Sequence, residues 1–172
     1  MIPEAELVRR EVILREIALP PEVKLTRTSL LRWFCLSCGL ISPDETRHTS
    51  FAVYDALFHY LFTLKTPPAT RDIQEFIAKN PQRATTSKEP GNTGSVGGPS
   101  EKLIRYHLNK LIDFGLIERR SNKYSLAQPP RGKPGDIPAI FSQIVAENLL
   151  KSVDQSKSVF ADLSKIYEQE RK

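Results

Sequence analysis

The sequence predicts a mainly α protein with one small β-hairpin, N-terminal helices and a long C-terminal helix. Three observations carry this expectation. Apolar residues recur at three- and four-residue steps through most of the chain, as at Ile104, Leu108 and Leu111, which lines one face of a helix. Period-two alternation is confined to "LIERRSNKYSL", Leu116 to Leu126, a length that suits a hairpin and nothing larger. The 13 prolines and 8 glycines gather between the periodic stretches, where they interrupt helices.

The elements follow in order. From Glu4 to Leu19, residues Leu7, Val8, Val12 and Ile17 lie near helical spacing, and Pro20-Pro21 then ends the helix by withdrawing N–H donors. A second helix is expected over "TSLLRWFCLSCGL", with Thr28 or Ser29 as N-cap and Gly39 near its end. The polar run "SPDETRHT" reads as a loop. "SFAVYDALFHYLFTLK" keeps Val53, Leu57, Leu61 and Leu64 on one face and Phe51, Tyr54, Phe58 and Phe62 on others, so burial on several sides is expected. Thr70 is the expected cap of "TRDIQEFIAKN", whose Ile73, Phe76 and Ile77 point inward.

Residues 81–99 hold prolines, glycines, serines and threonines with almost nothing to bury, and read as a flexible loop. Ser100 then caps "SEKLIRYHLNKLIDF", with Glu101 at the positive end and Gly115 in the left-handed position that stops it. The hairpin turns at Ser121-Asn122. From about Pro138 the chain is helical again. There Leu149, Val153, Ser156, Phe160, Leu163 and Tyr167 alternate four-three steps, a candidate dimer seam. Three regions result: a helical extension over 1–49, a central domain over 50–127, and a C-terminal helix within 128–172 suited to dimerisation.

Composition bounds the function. With 40% apolar and 26% charged residues the chain is globular in type. A net charge of +5 favours a polyanionic partner. No apolar run is long enough to span a bilayer and the N-terminus lacks a secretory core, so no membrane and a cytoplasmic location are expected. The only cysteines, Cys35 and Cys38, stand in "CLSCG". Thiolates at that spacing can share a zinc ion, but a tetrahedral site needs a second ligand pair. His48 and His59 would have to supply it; the alternative is two small apolar residues on one helix face. No nucleophile triad, phosphate loop or paired-carboxylate motif is present, so neither an enzyme nor a cofactor is expected. His107 is expected to pack or to touch backbone.

Helix, helix, helix ending in glycine, then a hairpin with a basic tip: over Ser50 to Leu126 this order resembles the winged helix-turn-helix family. "SEKLIRYHLNKLIDFGLIERR" is similar to the recognition helix and first wing strand of many bacterial and archaeal regulators. The resemblance implies sequence-specific binding of double-stranded DNA by a homodimeric transcriptional regulator, with helix 100–114 in the major groove and wing 117–126 on the flank. It also implies a nucleoid-associated location. With Ile104, Leu108 and Leu111 inward, Lys102, Arg105, Tyr106 and Asn109 face out. Arg105 suits guanine, Asn109 adenine, and Lys102 and Tyr106 phosphate. Ser100, at the helix start, joins the expected contact set, and Arg119, Arg120 and Lys123 would grip the backbone or minor groove. A helix-turn-helix usually joins its two helices by a turn of about three or four residues, so either the 81–99 loop is an insertion that leaves the helices docked, or the second helix lies elsewhere. The former is favoured, because longer loops add little closure entropy. The same fold also serves as a protein-interaction module of larger complexes, or in plasmid or viral replication and partition proteins.

Overall fold

The computed structural model describes residues 11–43, 48–81 and 98–169, with side chains omitted at 48 and from 165 onward. The chain divides into two compact units, Met1–Leu126 and Ala127–Lys172. The architecture is mainly helical, with one two-stranded antiparallel sheet among the described residues. No helix among them is long and apolar enough to cross a membrane.

In the first unit, residues 11–19 carry no regular secondary structure, contrary to the expected helix; its start, 4–10, lies outside the described residues. The reason is competition for hydrogen bonds. The Arg15 N–H donates to Ser37 O at 2.8 Å. Its guanidinium donates to Leu36 O at 2.7 Å and Ile41 O at 3.0 Å, which ties the extended segment to backbone 21 and 26 residues on. Trp33 Nε1 donates to Ala18 O at 2.8 Å. A 3₁₀ turn, Pro21–Leu25, follows.

Helix α1 spans Arg27–Ser37 and is capped by Thr26, whose Oγ1 accepts from Ser29 N at 3.1 Å. Thr28 and Ser29, the expected caps, lie inside the helix, because Thr26 already takes the extended cap conformation and accepts the Ser29 N–H. Helix α2, His48–Phe58, buries Phe51, Val53, Tyr54 and Leu57. It widens into a π-helical segment, His59–Leu64, closed by Lys65 at φ 52°. Wider turns break the 3.6-residue register, so Leu64 does not share the burial of Val53: it is 50% exposed, and Phe62 46%.

Helix α3, Thr70–Lys79, has Ala69 as its N-cap. The expected cap, Thr70, is instead buried within hydrogen-bond reach of the Tyr124 hydroxyl at 3.4 Å. Asp72 Oδ2 accepts the Ala69 N–H at 2.7 Å. Ile73 and Ile77 are buried, and Phe76 stacks on His59 with ring centroids 4.9 Å apart.

Helix α4, Glu101–Phe114, starts with Ser100 Oγ accepting from Leu103 N at 3.3 Å. It stops at Gly115, φ 88°, whose N–H reaches Leu111 O and Ile112 O. Ile104, Leu108 and Leu111 are fully buried, and α4 packs on both α2 and α3. Strands β1, Ile117–Arg120, and β2, Lys123–Leu126, pair antiparallel with Ile117 opposite Leu126 and Arg120 opposite Lys123. Ser121 and Asn122, both with positive φ, form the tight turn. A further antiparallel bridge joins Ala69 to Lys123, and Tyr124 N donates to Pro68 O at 2.9 Å. The hairpin is thereby tied to the segment just before α3.

In the second unit, Asp136 caps α5, Ile137–Ile140, by accepting from Ala139 N at 3.1 Å. A π-helical turn, Phe141–Val145, leads into α6, Ala146–Gln169.

Candidate nucleic-acid interface

The apolar row of α4 decides its other side. Because Ile104, Leu108 and Leu111 point into the unit, Lys102, Arg105, Tyr106 and Asn109 are exposed. The start of this helix is held twice. Ser100 caps it, and Gln74 Nε2 of α3 donates to Pro99 O at 3.0 Å. Farther along, Lys110 Nζ lies 5.0 Å from the centre of the Tyr106 ring and 3.5 Å from Leu40 O. It orients Tyr106 while bracing α4 against the turn after α1. His107 is buried beside the Tyr54 ring, centroids 5.9 Å apart, and belongs to the core face.

The exposed cations are not equally disposed. Arg105 Nη2 donates to Glu101 Oε2 at 2.5 Å, one helical turn back. Arg119 lies over the Tyr124 ring at 5.8 Å and hydrogen-bonds Asn122 Oδ1. Arg120 Nε pairs with Glu118 Oε1 at 2.9 Å. Lys102 and Lys123 are exposed. Such solvent-exposed pairs are individually weak, about 0.2–1 kcal/mol, so little free energy ties up these cations.

Sequence reasoning missed Gln74, Lys110, Thr70 and Tyr124 as supports. Glu101 alone gave a usable signal, standing four residues before an arginine on one helix.

The remaining sequence candidates lie elsewhere. Cys35 and Cys38 are buried thiols at the end of α1. Burial pushes the Cys38 thiol up in pKa, partly countered by its hydrogen bond with Ser37. Among the described residues no group of three or more His, Cys, Asp or Glu could hold a metal ion; the side chain of His48 lies outside them. On α6, Leu149 is half-buried, while Val153, Phe160 and Leu163 are 59%, 76% and 44% exposed. The Tyr167 side chain lies outside the described residues. Comparison with family models, curated proteins and solved structures finds no match.

Proposed function

We propose that this chain is a winged helix-turn-helix protein that binds double-stranded DNA sequence-specifically, as a homodimeric transcriptional regulator. Helix α4 would lie in the major groove and the β1–β2 hairpin, the wing, along the flank. The observation that carries this reading is α4 itself. One face, apolar but for His107, is buried and packed on α2 and α3. The other presents Lys102, Arg105, Tyr106 and Asn109, the side-chain types that reach phosphates, guanine and adenine. The bridge between Ala69 and Lys123 supports the wing assignment, since it fixes a hairpin carrying Arg119, Arg120 and Lys123 to the base of α3.

Titration of the full chain with genomic fragments at several salt concentrations tests the reading. Affinity should fall with salt, with a log–log slope of about −0.9 per phosphate contacted. Absence of binding at low salt, or indifference to salt, overturns it.

A second reading draws on exposed apolar side chains of the first unit. Leu30 on α1 and Phe62 on the π segment are both exposed, and Phe34, Phe58 and Phe62 form a run of ring contacts at 5.9 and 5.5 Å. That surface suits a winged-helix module docking within a larger complex. Stoichiometric recovery of a protein partner by a chain without DNA affinity would favour it.

A further inference from the structure

An acidic residue on a face that meets phosphates lowers affinity for every sequence. Glu101 is such a residue. It is exposed, one turn before Arg105, at the end of α4 that Ser100 and Gln74 hold in place. Its place in the first turn of α4 and its exposed pairing with Arg105 stabilise the helix only modestly, little return for a charge set against phosphates. The pairing has a chemical consequence instead. Glu101 Oε2 accepts from Arg105 Nη2 at 2.5 Å, so a guanidinium with further N–H donors and a carboxylate with a second oxygen stand side by side. In the major groove a guanine offers the acceptors O6 and N7, and a cytosine offers the N4 amine as a donor. Donor and acceptor groups held together match neighbouring base pairs that offer the opposite pattern.

We infer that Glu101 is a specificity-determining residue: with Arg105 it forms a two-residue reader, Arg105 taking a guanine and Glu101 accepting from the N4 amine of a cytosine in the adjacent base pair. The inference rests on the DNA-binding reading above. Glu101 lowers binding to random sequence and restores affinity only where the cytosine is present. Discrimination therefore comes from a repulsive element as well as an attractive one.

The test selects bound duplexes from a randomised library with the full chain, then measures affinities for duplexes varied at each base pair of the selected site. The proteins compared are the unaltered chain, Glu101→Gln, Glu101→Ala and Arg105→Ala. Glutamine pairs with adenine, so Glu101→Gln should move the preference at one base pair from cytosine to adenine. Preference for the original cytosine should fall about tenfold there, with other positions unchanged. Glu101→Ala should bind random duplex more tightly and lose preference at that same pair. Arg105→Ala should relax the neighbouring pair. Variants that shift all sequences by one common factor, with the preference profile intact, overturn the inference while leaving DNA binding standing. An unaltered chain that binds no duplex at low salt overturns both.

Discussion

Two constraints coincide at Gly39. Its φ is +64°, and a Cβ built there would lie 2.6 Å from Ile13 Cβ. Only a residue without a side chain lets the 11–19 segment lie against the end of α1, where Arg15 donates to Leu36 O and Ile41 O. Gly39→Ala combines left-handed strain with a collision and should cost about 1–3 kcal/mol, read by urea denaturation. A loss under about 0.5 kcal/mol, the range of an ordinary surface change, would mean that Ile13 moves aside without penalty. Cys38 gives a residue-scale prediction with a pH sign. Its folded pKa is raised by burial, so its contribution to stability is complete below the ordinary thiol pKa of about 8.5 and is lost as pH rises through the higher folded value. Alkylation of the native chain at neutral pH should accordingly be far slower than in urea. Equal rates would contradict a buried, protonated thiol.

The elements differ in how much of them the sequence discloses, and range of interaction explains the difference. The start, stop and apolar stripe of α4 are written in Ser100, Gly115 and Ile104-Leu108-Leu111, all within one segment. Once those point inward, helical geometry alone exposes Lys102, Arg105, Tyr106 and Asn109. The 11–19 segment is illegible because Arg15 finds its partners 21 and 26 residues away. The supports of the candidate interface are equally remote: Gln74 to Pro99 spans 25 residues, Lys110 to Leu40 spans 70. Thr70 looks like a cap by residue type, yet its hydroxyl is drawn to Tyr124, 54 positions on. Removing that partner by Tyr124→Phe leaves a buried hydroxyl poorly satisfied and should cost about 1–3 kcal/mol in thermal or urea unfolding. Ser100→Ala removes a local cap from α4 and should cost about 1 kcal/mol. If Tyr124→Phe is neutral, the hydroxyl pair does not help to hold the hairpin against α3.

For the molecule as a whole, α6 sets the question, because every residue from 150 to 164 is exposed. Leu150, Val153, Val159, Phe160 and Leu163 are all exposed. Glu147, Lys151, Asp154 and Asp162 lie off the four-three seam, so pairing two copies along it would bury apolar groups without stranding these charges. On the proposed DNA-binding reading, one copy would contact only a short half-site, and a second linked copy would raise avidity by roughly 10²–10⁴ when geometry allows both to engage. Ser156 at the centre of the seam weakens it relative to a fully apolar zipper. The decisive variant is the full chain carrying Phe160→Glu and Leu163→Glu, because glutamate keeps a high helix propensity while placing like charges in the seam. Light scattering should give a dimer for the unaltered chain and a monomer for the variant. Affinity for a palindromic duplex should fall by the avidity factor, while affinity for a single half-site stays as it was. A monomeric unaltered chain, or a variant as dimeric as its parent, places the interface elsewhere. Equal loss on the half-site would mean that the substitutions disturb the reading unit itself rather than its pairing.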